Sequence, residues 1–102
     1  MAIKKDIVDY NTAAVMSHHV ISGISTDKLN DVTVITVTSF ATINAYDAVP
    51  RKAPLATEQI VLPGKVVPLE DNMWSWAYTQ ITNPQNVAFN NITDKFVSGE
   101  IV

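Results

Sequence analysis

The chain has 102 residues, with seven Lys and Arg against ten Asp and Glu for a formal charge of -3, and it contains no cysteine. One domain with its own core is the expected scale; the absent thiols exclude disulfides, thiolate metal centres and cysteine nucleophiles, and the mild negative charge argues against a nucleic-acid partner. No apolar run has the length of a secretion signal core or a membrane span, so the expectation is a chain made in the cytosol and kept there or assembled from there.

From Ile3 to Asp9 the residues read as a first strand, with Ile3 and Ile7 on one face, Val8 on the other and Lys4, Lys5 and Asp6 between them. Lysines on a strand suit a sheet edge, where charge discourages stray pairing. Asp9-Tyr-Asn-Thr12 carries turn chemistry, because Asp and Asn side chains bond nearby backbone amides. A second strand is expected from about Ala13 to Ile24, with Met16, His18, Val20 and Ile24 on one face and Val15, Ser17, His19 and Ile21 on the other. Ser25 to Asn30 is a loop by composition.

The most strongly extended stretch runs from Asp31 to Asn44, filled almost entirely with Val, Ile, Thr and Phe. Such side chains suit a pleated surface and lose rotamer freedom in a helix. Alternation puts Thr33, Ile35, Val37, Ser39, Ala41 and Ile43 on the drier face and Val34, Thr36, Thr38, Phe40 and Thr42 on the wetter one. Taken straight it would span roughly 40 Å at about 3.3 Å per residue, so it must bend or reach a neighbour.

Between Ala45 and Glu58 the pattern dissolves around two prolines and the lone basic pair Arg51 and Lys52, which predicts an exposed excursion over about 46–58 and the first protease cuts there. The chain becomes extended again from Gln59 to Leu62, turns at Pro63-Gly64 and is expected to return as Lys65 to Val67. Asp71 or Asn72 then offers an N-cap for a helix starting at Met73. Helical spacing sets Trp74, Ala77, Tyr78 and Ile81 on one side, aims Trp76 away from it, and ends at Asn83-Pro84. Asn86 to Phe96 fits either a short second helix or an extended arm. The final Ser98 to Val102 ends on two aliphatic residues that need somewhere to dock. The fold expected is α+β: one domain over 1–102, an antiparallel meander of about five strands, and one C-terminal helix packed on the sheet.

Little in the chain suggests catalysis. His18 and His19 are adjacent on a strand and so face opposite ways, which keeps them from sharing a metal; one structural and one surface histidine is the expectation. No serine has a nucleophile-elbow setting and only three glycines are present, so phosphate loops and dinucleotide fingerprints are missing. Glu58, Glu70 and Asp71 read as capping or solvated carboxylates, and Arg51 with Lys52 lacks the basic and aromatic company of a phosphate site. Trp74, Trp76 and Tyr78 could form a sugar platform, but helical spacing makes Trp74 and Tyr78 core and leaves Trp76 as a large aromatic of the kind enriched at interfaces.

The opening Met1-Ala-Ile-Lys-Lys-Asp-Ile-Val8, the strand Val15-Met-Ser-His-His-Val-Ile-Ser-Gly-Ile24, Trp76-Ala-Tyr78 and the closing Asp94-Lys-Phe-Val-Ser-Gly-Glu-Ile-Val102 together resemble a family of small proteins from tailed bacteriophages and prophages. The resemblance covers about half the chain; the stretches from Ala45 to Gln59 and from Asn83 to Phe89 depart from it. It implies a virion or virion-assembly component from the tail, baseplate or collar region, assembled in the host cytoplasm, and it offers no catalytic residues. The expectation is thus a non-enzymatic structural subunit with no cofactor or metal. Its expected partners are copies of itself and other virion proteins, not nucleic acid or membrane. Trp76, Ile101, Val102, Arg51 and Lys52 are its expected interface residues. A carbohydrate- or receptor-binding module, or an assembly chaperone, is the alternative.

Overall fold

A computed structural model describes residues 1–9, 13–68, 72–83 and 96–102. Its centre is a long hairpin of β2 (Val15–Asp27) and β3 (Val32–Phe40), flanked by β1 (Ile3–Val8) and β4 (Ala56–Pro63). A two-residue β5 (Glu100–Ile101) pairs outside β1, giving a five-stranded antiparallel sheet in the order β4-β3-β2-β1-β5. Among the described residues two helices accompany it, α1 (Ile43–Asp47), which the sequence does not predict, and α2 (Met73–Thr82).

The alternation in β3 holds: Thr33, Ile35, Val37 and Ser39 are all buried. Ile35 and Val37 join Ile60 and Leu62 of β4, Ile21 of β2, Ile3 of β1, and Ala77, Tyr78 and Ile81 of α2 in one core cluster, which Phe96 completes. Each fully buried aliphatic side chain contributes about 1.5–3 kcal/mol relative to exposure, so the drier face of β3 is where folding energy is concentrated. Asn72 caps α2, its side-chain oxygen accepting from the amides of Trp74 at 3.0 Å and Ser75 at 3.1 Å; Asp71, the other expected cap, lies outside the described residues.

In β2 the register slips between Ile21 and Gly23. A straight strand would put Ile21 and Ile24 on opposite faces; the bulge brings Ile24 against the same core as Ile21. The hairpin beyond is tighter than composition suggests. Asp27 accepts from the amides of Leu29 and Asn30, and Asp31 takes a positive φ of 52°, so pairing extends to Asp27↔Val32 and the expected loop shrinks.

Four other expectations are corrected. β3 stops at Phe40, because Thr42 caps α1 by accepting from the Ala45 amide at 3.2 Å; Ile43, expected on the dry face, is exposed. β4 begins at Ala56, three residues inside the expected excursion. No strand returns over 65–67; instead Gly64 turns at φ +73° and the Lys65 carbonyl accepts from the Thr33 hydroxyl at 2.8 Å. β1 is not the outermost strand where Ile3 and Lys4 pair with Ile101 and Glu100. The expected turn at 10–12 and the alternative of helix or arm over 86–95 fall outside the described residues, as do Glu70 and Pro84.

Candidate interaction surface

Among the described residues the sheet order leaves β4 at one border along its whole length, whereas the other border is only the two-residue β5. Which backbone groups β4 presents follows from one bond. The Gly64 amide donates to the Asp31 carbonyl at 2.7 Å, on the same register that pairs Val32 with Pro63. Hydrogen-bonded pairs alternate along an antiparallel ladder, so Leu62, Ile60 and Glu58 direct their amides and carbonyls to β3, and just before the strand the Leu55 amide donates to the Ser39 carbonyl at 2.9 Å. Thr57, Gln59 and Val61 direct theirs outward, and all three residues are exposed. Sheet borders are usually guarded by lysine, proline or a bulge. Here the guards are few: Glu58 points its charge to the core side and Pro63 closes the strand, but no basic residue or proline stands between Ala56 and Leu62, and the β3/β4 register is unbroken.

The side chains of Thr57, Gln59 and Val61 continue a face built from Val34, Thr36 and Thr38 of β3 and from Val20 and Ser22 of β2. It lies opposite α2 and is half-buried or open. Across it the Ser22 and Thr38 hydroxyls bond at 2.8 Å. Among the described residues only one end is roofed. There the Tyr46 ring of α1 lies 5.0 Å from the His18 ring and 5.2 Å from Phe40, centroid to centroid. Arg51 is held above Tyr46, its guanidinium carbon 4.1 Å from the ring centroid and its Nε donating to the Tyr46 carbonyl at 2.8 Å. Lys52 is exposed, and its amide donates to the Ala45 carbonyl. The basic pair is therefore split, Arg51 fastening the roof and Lys52 lying free in solvent.

The two histidines do face opposite ways, but both are buried, so the expected surface histidine is absent. His19 Nε2 lies 2.7 Å from the Lys5 carbonyl and Nδ1 2.7 Å from Ser39 Oγ. A carbonyl only accepts, so Nε2 carries the proton and Nδ1 accepts from the serine hydroxyl, which fits neutral imidazole. His18 Nε2 is buried with no hydrogen-bond partner. Burial pushes both rings below the ordinary histidine range. Asp47 opposes this at His18, and the Lys5 carbonyl opposes it at His19. Among the described residues no group of three His, Asp or Glu could hold a metal ion.

The tryptophans exchange their expected places. Trp76 is half-buried against the margin of the core, lining an open hollow with Asn72, Ser75, Thr79 and Gln80. Trp74 is the exposed one, at 43%. It lies in the first turn of α2, where it lines a hollow with Met1, Val20, Ile21 and Tyr78, so its stripe position does not bring burial. Tyr78 is 2% exposed; the three rings do not share a surface on which a sugar could stack. Ile101 and Val102 keep exposed side chains, yet their backbone is docked on the chain itself: Ala2 and Val102 exchange both amide bonds, at 2.9 and 2.8 Å.

Of the five expected interface residues, then, none lies on the β4 border, and the border itself is what sequence reasoning missed. The signal was present, since Ala56, Glu58, Ile60 and Leu62 alternate with Thr57, Gln59 and Val61 at period two. No family model, no curated protein and no solved structure matches the chain. No helix among the described residues is long and apolar enough to cross a membrane.

Proposed function

We propose that the chain is a non-enzymatic structural subunit of a tailed-bacteriophage virion, in the tail, baseplate or collar, working by assembly with copies of itself and other virion proteins. The observation that carries this reading is the open β4 border, three residues of outward-facing amides and carbonyls continuous with an open Thr- and Val-rich face. Strand addition supplies affinity through main-chain bonds and needs no active-site chemistry. The resemblance of the chain's opening, its histidine strand and its closing segment to small phage tail-region proteins supports the same reading and supplies its setting. Quantitative mass spectrometry of purified particles tests it. The expected result is the chain present in fixed stoichiometry to the major tail protein. Absence from the particle, with assembly nonetheless dependent on the gene, overturns the structural role and leaves an assembly chaperone. Glycan binding by the isolated chain would point to the receptor-binding alternative.

A further inference from the structure

We infer that β4 pairs with β4 of a second copy, antiparallel about a two-fold axis through Gln59, joining two five-stranded sheets into one. This deepens the assembly reading and rests on it for its purpose, though the pairing itself is a property of the chain alone.

An isologous contact requires the same patch to be complementary to itself, and the arrangement of outward groups satisfies that in one register. About Gln59, the outward residues meet outward residues: Gln59 opposite Gln59 of the second copy, and Thr57 opposite Val61 on either side. Each such pair can exchange two amide bonds, so three pairs give six, and every residue involved has both an N–H and a C=O. Sliding the axis to Ile60 sets Thr57 against Pro63, which has no N–H to give. Sliding it the other way, to Glu58, sets two carboxylates directly opposite one another and draws in Leu55, which lies outside the strand.

Side chains agree with the Gln59 axis. On the core side Leu62 stands opposite Ala56, large against small, and Ile60 lies beside the aliphatic stem of Glu58. On the open side Thr57 meets Val61, and the two Gln59 amides can bond each other. The other border offers no such partner, because β5 has two residues and its inner groups are already bonded to β1.

Light scattering of the full chain over a micromolar to millimolar series is expected to move from one towards two times the 11.2 kDa chain mass. Gln59→Pro removes an amide that the ladder's alternation directs away from β3, so it is expected to keep the native thermal transition and hold the mass at one chain. Gln59→Lys, which sets like charges opposite at the axis, repeats the test should proline disturb the strand. The chain has no native cysteine, so Gln59→Cys alone is expected to give an oxidised dimer, with Cα atoms about 5.5 Å apart at the axis; Thr57→Cys alone is expected to remain monomeric. A native chain that stays at one mass throughout overturns the inference. So does a dimer that survives both Gln59 substitutions with the fold intact, or one in which Thr57→Cys cross-links as readily as Gln59→Cys. A chain that is monomeric in isolation but present in particles at fixed copy number refutes the self-pairing and leaves the assembly reading standing. A Gln59-dependent dimer absent from particles does the reverse.

Discussion

The hydroxyl of Tyr78 accepts from the Ile21 amide at 2.9 Å and donates to the Met1 carbonyl at 2.8 Å. The β1/β2 register that pairs Ile3 with His19 would, one rung further on, set Met1 opposite Ile21. The phenol of α2 thus stands where a direct ladder bond would form. It satisfies an amide and a carbonyl that the end of β1 leaves unpaired, and it fixes the helix to the sheet by more than apolar contact.

Tyr78→Phe keeps the ring in the core but leaves the Ile21 amide and Met1 carbonyl without that partner. A loss of about 1–3 kcal/mol is expected, the usual cost of an unsatisfied buried group. Urea unfolding measures it as a lower midpoint with an unchanged slope. An unaltered midpoint would mean that the rung closes directly once the hydroxyl is gone.

Gly99 and Gly23 make a paired test of close approach. A Cβ on Gly99 would lie 2.5 Å from Ile3 Cγ2 and 3.1 Å from the Phe96 carbonyl, whereas one on Gly23 meets only Thr36, at 3.7 Å. Gly99→Ala must push β5 away from β1 or displace Ile3, so a loss of about 1–3 kcal/mol is expected. Gly23→Ala lies in a strand with room for the methyl and is expected to be neutral or to gain up to roughly 0.5–1 kcal/mol. Thermal unfolding of the two variants side by side decides whether β5 is seated as tightly as described; equal transitions would contradict it.

What was legible in the residues was the meander, the dry face of β3 and the stripe Ala77, Tyr78 and Ile81, because each rests on a repeated period. What was not legible came from single events that break a period. A bulge at Ser22 moves Ile24 to the core side, and Thr42 accepts the Ala45 amide, turning the end of a valine- and threonine-rich run into a helix. Trp74 shows a third limit: a place on the apolar stripe does not bring burial in the first turn of α2, where the ring stays exposed and lines a hollow beside Val20, Ile21 and Tyr78. The β4 border was missed for the opposite reason. Prolines nearby make residues 46–58 look irregular, so the sequence marks Gln59 to Leu62 as extended while Ala56 to Glu58, the start of the same period-two pattern, fall inside the excursion.

Arg51→Ala removes the cation above Tyr46 and the bond from its Nε to the Tyr46 carbonyl. At this exposed position the cation–π term is worth about 0.5–1 kcal/mol, so the global transition should fall only slightly. The local effect should be larger, since Tyr46 is the roof over His18 and Phe40. Hydrogen exchange is expected to quicken at the Tyr46 and Lys52 amides, whose partners are the Thr42 and Ala45 carbonyls. Protection left unchanged there would show that α1 is held without the guanidinium.

Acid should weaken the fold through His18 and His19 together. Both rings sit below their ordinary value near 6.5 because burial disfavours the charged form. In the window between each depressed folded value and 6.5, the unfolded chain binds protons that the folded chain does not. Stability therefore rises with pH through that window and is lost as pH falls from neutral into it, by at most roughly 1.4 kcal/mol per pH unit for each histidine. Above about pH 7 neither ring contributes a slope. His19→Gln and His18→Phe separate the two. His18→Phe keeps a ring beneath Tyr46 while deleting the unpartnered Nε2, so it is expected to gain about 1 kcal/mol at neutral pH and to make the acid slope shallower. Urea midpoints measured from pH 7.5 down to about 5 test both statements. A His18→Phe variant with the parental slope would assign the whole acid response to His19 and the carboxylates.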